Sequence, residues 1–545
     1  MSEKRKMLKA AGLVGALTLL SRFTGLLRDA VLAAKLGATG LADTFLVAFE
    51  IPNLIRRAMG EGALSAFMVP LFTKRRKEQG SEAGWRFFNT TANLLLILAF
   101  AVTLLGGVFS QEIYMAFGGF GQLLRGASDP GGQNRELIAL GGRLTRIMFP
   151  FAIGLTLASL MMGACHTLRS FGPPSLGSVM LNLSLIAVGG GAILLHTPAD
   201  RTTIWLCWAV LAGAVLRVLI MVPTLARHGW RWRPVLTLRD PDLRRLMRMM
   251  GLGVLALSIH QINIIVAGFF ALYLGEGIKV YITYSNRLIQ FPMALTASAV
   301  ATAMLPQLSQ YLLEKRTDEL RDMMAFTKRL EMVLMMPAVL GLMVLGEPIM
   351  SLIFERLNWT PEATRAAYWA LLFYAPALLP MGWARLLVQL SYARQDLVIP
   401  LKAALAGMVV NVALNYLFAV HTPLDRWGVP QVGLALAFTL GAFVNYWTLA
   451  LLMRRAFGPW VGARARIGET ILKSAVCAAG ACALAGGAYA GLGSVLGWPG
   501  GTLARLLMLL PVIMMTAFVY FGLARLIGVP DSDRATKLIV DRLHR

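Results

Sequence analysis

Apolar runs of about twenty residues recur from one end of the chain to the other, separated by short polar or basic stretches. A helix of that length crosses the ~30 Å hydrocarbon core of a bilayer, and the period-2 alternation of a membrane barrel is absent. The pattern predicts an all-α polytopic membrane protein with fourteen transmembrane helices. They fall at residues 8–35, 41–74, 85–117, 138–167, 175–195, 202–226, 245–274, 279–313, 319–352, 362–392, 399–420, 430–455, 466–492 and 500–527. The opening Lys4-Arg5-Lys6 and apolar run read as a signal anchor, because the run passes into SRFTGLLRD rather than a small-residue cleavage site.

The first two spans break the apolar rule. They carry Arg22, Arg28, Asp29, Asp43, Glu50, Arg56, Arg57 and Glu61. A charge near the bilayer centre costs roughly 2.5–3.5 kcal/mol, so these groups are expected to line a polar cavity or to pair. Ser21, Gly25 and Arg28 share one face of span one by spacing, and Arg22 and Asp29 share another. Asp43, Glu50, Arg57 and Glu61 lie close to one face of span two if Pro52 leaves the helix in phase. Arg57 and Glu61 form an i, i+4 pair, which turns Arg56 elsewhere. Span eight adds Arg287, flanked by Tyr284, Asn286 and Gln290. Arginine presents a planar, permanently charged fork that fits phosphate. The set suits a di-anionic phosphate headgroup and does not suit a cationic drug.

A faint internal repeat organises the rest. Residues 43–74, with Pro52 and Pro70, echo residues 280–313, with Pro292 and Pro306. Each segment is the second span of a block of six. The expected architecture is two pseudo-symmetric six-helix lobes around a central cavity, plus two additional C-terminal helices. Residues 1–240 form the N-terminal lobe, 241–460 the C-terminal lobe, 461–530 the last two helices and 531–545 a tail read as an amphipathic interfacial helix.

Composition agrees: 57% of residues are hydrophobic, mean hydropathy is +0.64 and net charge is +24. The basic residues concentrate in alternate loops, which places both termini of a multi-pass membrane protein in the cytoplasm and argues against nucleic-acid binding. The loop from Arg227 to Arg248, with Trp230 and Trp232 beside arginines, fits either the headgroup interface or a solvated loop. Cys165, Cys207, Cys477 and Cys482 lie in or beside apolar runs without a CxxC pair, and the six histidines form no metal-spaced pair. His260, inside span seven, reads as structural rather than as a cavity group. No Walker A, GxSxG or HExxH motif occurs, so no enzyme chemistry, metal or organic cofactor is expected. Active transport would draw on an ion gradient, the membrane potential or the substrate's own gradient.

SRFTGLLRD, LADTFLVAFEIPNLIRRAMGEGALSAFMVPLF, YSNRLIQFP followed by MLPQLS, and SYARQDLVIP closely resemble the MurJ (MviN) lipid II flippases of bacterial peptidoglycan synthesis. That family belongs to the multidrug/oligosaccharidyl-lipid/polysaccharide exporter superfamily, and the resemblance covers essentially the whole chain. It implies movement of undecaprenyl-pyrophosphoryl-disaccharide-pentapeptide (lipid II) from the inner to the outer leaflet by alternating access. It further implies a cationic cavity for the headgroup, built on Arg22, Arg28, Arg56 and Arg287. Arg57 matches a basic position, and Asp43 and Glu61 match acids. The last two helices would form a groove for the polyprenyl tail, with the small-residue run AGGAYAGLG (Ala485–Gly493) compatible with it. Implied partners are lipid II, membrane lipids and the cell-wall synthesis machinery, with a monomer as the expected state. Asn286 and Gln290 stand where members carry acids, and Glu50 where a basic residue can occur. A sodium site on spans 7, 11 and 12 uses carboxylates in some members; here the positions offer Asn411 and Asn415, with Ser258, His260, Gln261 and Asn263. Membrane potential is therefore expected as the energy source ahead of a monovalent cation. Rival readings are a flippase for another lipid-linked oligosaccharide, an ion-coupled small-molecule exporter of the same superfamily, and a non-transporting scaffold.

Overall fold

The structure, a computed structural model, describes residues 3–59, 63–125, 133–296, 304, 307–394, 396, 398–422, 428–457, 466–496 and 501–533. Within its helices the side chains of 3–11, 13, 14, 55–59, 63–67, 249–260 and a few terminal positions are not described. The predicted tail helix spans 531–545, of which 534–545 lie outside the described residues.

The described residues are helical, with no strand among them. The main helices are α1 (Glu3–Leu36), α2 (Gly40–Met59), α3 (Ala63–Glu78), α4 (Gly80–Val108), α5 (Gln133–Met148), α6 (Phe151–Thr167), α7 (Gly172–Leu194), α8 (Ala199–Leu219), α9 (Pro241–Leu274) and α10 (Ile278–Leu295). They continue with α11 (Thr317–Phe354), α12 (Pro361–Tyr374), α13 (Leu378–Ala393), α14 (Val398–Tyr416), α15 (Gln431–Phe457), α16 (Ile467–Leu496) and α17 (Thr502–Leu526). Ten helical stretches among the described residues are long and apolar enough to cross a membrane, and they coincide with predicted spans three to six and nine to fourteen. Pro150 separates α5 from α6, and together these two make one 35-residue stretch. Spans one, two, seven and eight fall on α1, α2 with α3, α9, and α10. These four are not among the ten; within α9 a shorter apolar stretch, Gln261–Leu274, is found.

The chain divides into two compact units, residues 1–280 with 356–359, and residues 281–355 with 360–545. In the first, α1 packs on α7, α7 on α8, α2 on α5, and α3 on α4 and α6. Asn358 is tied to the end of α1, its N–H donating to Ala34 O at 3.1 Å and its Nδ2 to Lys35 O at 2.7 Å. Gly37 makes this approach possible: its φ is +66°, and a Cβ there would sit 2.6 Å from Asn358 O.

The tryptophan-containing loop of the first unit is largely exposed, and it is tied to α4 by hydrogen bonds. Trp85 Nε1 donates to His228 O at 3.0 Å, Trp230 Nε1 to Asn89 Oδ1 at 2.9 Å, and Trp232 Nε1 to Asn93 Oδ1 at 3.1 Å. Asn89 and Asn93 return bonds to Arg231 O and Arg233 O, both at 2.9 Å. Trp230 packs against the buried cluster of Phe72, Trp85, Phe87 and Phe88. Amides on α4 satisfy the backbone of a loop that has no ladder of its own. Next to it, Arg75 at the end of α3 bridges Asp240 at 2.7 Å and Asp242 at 2.8 Å. Burial works against the Arg75 charge, but the two carboxylates outweigh it and hold its proton more firmly than usual.

In the second unit, α14 and α15 meet through glycines. A Cβ on Gly407 would lie 2.8 Å from Gly441 O, and one on Gly441 would lie 3.0 Å from Gly407 O. Small residues at a crossing let two backbones approach closely in a membrane. α11 packs with α16 and α17. Tyr520 donates to Val333 O at 2.8 Å, Arg329 pairs with Asp531 at 2.7 Å, and Arg505 pairs with Glu355 at 3.0 Å. Ala485, in the small-residue run of α16, is buried against Leu345 and Val512, so at that position the run serves helix packing.

Candidate functional site

Arg28 anchors the polar region of α1. Its Nε and Nη2 donate to Asp29 Oδ1 at 2.9 and 2.6 Å, and its Nη1 donates to Asn182 Oδ1 on α7 at 3.0 Å. Asn182 Nδ2 in turn donates to Ser21 O and Thr24 Oγ1, both at 3.1 Å. Arg28 and Asp29 are 7% and 4% exposed. The long Arg28 stem folds along the helix, so adjacent residues pair although their Cβ atoms diverge. Ser21 contributes its backbone carbonyl to the network.

Arg22 lies six residues earlier, about 9 Å along the helix. It is partly buried and has no hydrogen bond or ion pair among the described residues. α1 therefore carries one neutralised guanidinium and, one and a half turns before it, one with its charge uncompensated there.

On α2, Asp43 and Glu50 do share a face. Asp43 is buried and accepts from Gly277 N at 2.6 Å and Val280 N at 2.9 Å. Gly277 immediately precedes α10 and Val280 lies in its first turn, where N–H groups lack intrahelical partners. Asp43 thus caps α10 from another helix. Two turns along α2, Glu50 accepts from Lys279 Nζ at 2.7 Å. Gly40 N also reaches Glu276 Oε2 at 3.4 Å. The start of α10 is stapled to α2 at three points.

The second unit holds the remaining predicted residues. Tyr284 is buried and stacks on Phe354 with centroids 4.9 Å apart. Gln290 Nε2 donates to Asn286 Oδ1 at 2.9 Å, which partly occupies both amides. Arg287 lies between them and is partly buried. Asn415 Nδ2 donates to Asn411 Oδ1 at 2.9 Å on α14, beside the Gly407–Gly441 crossing. No group of three His, Cys, Asp or Glu among the described residues could hold a metal ion. Arg56, Arg57, Glu61, Ser258 and His260 have side chains outside the described residues.

Three residues escaped the reading of the chain alone. Asn182 is the one amide in the otherwise apolar and small-residue α7, which is the signal that could have marked it. Lys279 sits at the first turn of a span, where a basic residue passes for a topology signal. Glu331 lies inside α11, 1% exposed, and neither carboxylate oxygen has a hydrogen-bond partner among the described residues.

The sequence profile of the family described as "Lipid II flippase MurJ" matches residues 32–510. A probable lipid II flippase MurJ from Vibrio cholerae is 32% identical over 452 residues, 83% of each chain. A lipid II flippase MurJ from Burkholderia cenocepacia is 30% identical over 447 residues, 81% of this chain and 83% of that one. Among solved structures, a lipid II flippase MurJ in an inward closed conformation superposes with TM-score 0.72 at 19% identity, covering 94% of this chain and 99% of that one. An inward-facing multidrug resistance MATE family transporter of the MOP superfamily gives 0.64 at 15% identity, covering 82% and 98%. These two likenesses establish the fold. With the family profile spanning both compact units, the chain belongs to the lipid II flippase MurJ family.

Proposed function

We propose that this protein moves lipid II from the inner to the outer leaflet of the cytoplasmic membrane, and that arginines on α1 and α10 receive the pyrophosphate. The observation that carries the reading is the imbalance on α1. Arg28 is matched by Asp29, whereas the partly buried Arg22 has no counter-ion among the described residues. An unmatched guanidinium in a membrane helix calls for an anion, and a pyrophosphate accepts the bidentate fork. Arg287, with Arg56 and Arg57, would complete the cationic lining, and Asp43, Glu50 and Glu61 would balance it. Alternating access between lobes 1–240 and 241–460, with both termini cytoplasmic and residues 461–530 guiding the polyprenyl tail, completes the proposal. Membrane potential supplies a driving force of ~2.3 kcal/mol per charge per 100 mV.

The test is complementation. A bacterial host depleted of its own lipid II flippase expresses this chain, and lipid II exposed on the outer leaflet is assayed. Restored exposure and growth by the wild type, with loss in Arg22→Ala at equal membrane abundance, supports the reading. A well-expressed wild type that restores neither, in a host shown to accept a family relative, moves the substrate to another lipid-linked oligosaccharide.

A further inference from the structure

Glu331 is a buried acid that no part of the lipid-binding scheme uses. It lies fourteen residues into the 38-residue α11, about 21 Å from the helix start. Both oxygens are buried without a hydrogen bond among the described residues. Lys328, one turn earlier on the same face, is close enough to attract its charge, and so is Arg385 on α13. Yet Lys328 forms no ion pair with it among the described residues. The ammonium instead donates to Tyr446 Oη on α15 at 2.6 Å and lies 5.0 Å from the centre of that ring. The other titratable groups packed around α11 at this depth are Cys477 on α16 and Tyr520 on α17, which face Leu330 and Val333.

We infer that Glu331 is a proton-binding site, occupied in this conformation and vacated in another where Lys328 leaves Tyr446 and pairs with the carboxylate. An ionised carboxylate that is buried without a hydrogen bond among the described residues is costly, and a bound proton removes that cost. The residue spacing supplies the second state, because Lys328 and Glu331 are i, i+3 neighbours on one helix face. A metal cation is disfavoured at the same place. Lys328 and Arg385 repel it, the Tyr446 hydroxyl is already engaged, and a single carboxylate cannot complete the oxygen shell a hard cation needs. The proton balance is simple: one proton leaves the carboxyl for solvent, and the carboxylate gains the ammonium that Tyr446 gives up. Coupling of this step to lipid movement rests on the transport reading above; proton binding itself does not.

The experiment uses the full chain in liposomes made without sodium. Infrared difference spectra are recorded across a pH titration, and lipid II transfer is measured in parallel. A protonated carboxyl C=O band at neutral pH that vanishes in Glu331→Gln, or moves in Glu331→Asp if the Gln variant does not fold, is the expected result. Wild-type transfer should then fall as pH rises, by at most about tenfold per unit for one proton, and the variant's profile should flatten. Tyr446→Phe, which frees Lys328, should lower the pH at which the band disappears. Absence of the band from the wild type, or its persistence in Glu331→Gln, overturns the inference. A wild type that shows the band but moves no lipid II leaves the proton site standing and removes the transport reading.

Discussion

Arg28 and Asn182, 154 residues apart in sequence, are joined by a 3.0 Å hydrogen bond that fixes the guanidinium beside Asp29. Loss of a hydrogen bond to a charged group costs about 1.5–3 kcal/mol. Asn182→Ala is therefore expected to lower the melting temperature and to reduce lipid II transfer, although Asn182 lies outside the proposed arginine set. Arg28→Ala strands a buried carboxylate and is expected to cost about 3–5 kcal/mol. Adding Asp29→Asn to Arg28→Ala should restore stability without restoring transfer. Thermal melting of purified protein read beside the transfer assay separates the two effects.

Arg22 gives the opposite pattern. Having no partner among the described residues, it is expected to tolerate Arg22→Ala within about 0.5 kcal/mol while losing transfer. Arg22→Lys keeps the charge and discards the planar fork. Partial activity in the lysine variant would mark charge as the main requirement, and none would mark bidentate recognition. Equal loss of melting temperature and of transfer in Arg22→Ala would make it a structural residue.

Asp43 is predicted to matter through the start of α10. Asp43→Ala should cost about 1–2 kcal/mol, the usual range for a lost N-cap, and Asp43→Asn should retain most of it. Hydrogen exchange at the amides of Gly277 and Val280 is the direct readout, with protection lost in Ala and largely kept in Asn.

Lys279 and Glu50 can be tested as a pair. The lysine side chain is 4% exposed and the glutamate 28%, so solvent screens part of the interaction. Lys279→Met and Glu50→Gln are each expected to cost about 1–3 kcal/mol. A double-mutant cycle by thermal or chemical melting should return a coupling of about 0.5–3 kcal/mol; a value near zero would mean the contact contributes nothing to stability.

At the α14–α15 crossing, Gly407→Ala places a methyl 2.8 Å from Gly441 O. Overpacking of this kind costs about 1–3 kcal/mol. Melting of the variant beside Gly428→Ala, a position with open space but a φ of +69°, distinguishes crowding from backbone strain.

Helix positions were readable from the chain because bilayer thickness sets a single length scale, and spans three to six and nine to fourteen needed nothing more. The charged spans were readable as special for the same reason, since Arg22, Arg28 and Asp43 violate it. What stayed hidden were the partners. Spacing along a helix reports which residues share a face, as with Asp43 and Glu50, but cannot name Asn182 or Lys279, which arrive from elsewhere in the chain. Nor could it show Asp29 as the partner of Arg28, because spacing ignores how far an arginine stem can bend. Glu331 was passed over because a lone acid in an apolar run has no motif. The family profile starts at residue 32, so Arg22 and Arg28 stand on their own setting.

The cap on α10 has a consequence for biosynthesis. Asp43 and Gly277 are separated by 234 residues. At translation rates of about 5–20 residues per second, the acid is made roughly 10–50 s before the amide it will serve. Throughout that interval the aspartate must remain wet or borrow a transient partner, and α10 cannot begin properly until α2 is already in place. The order of insertion is thereby written into one carboxylate, and a chain that mis-threads its second helix would leave its eighth span without a beginning.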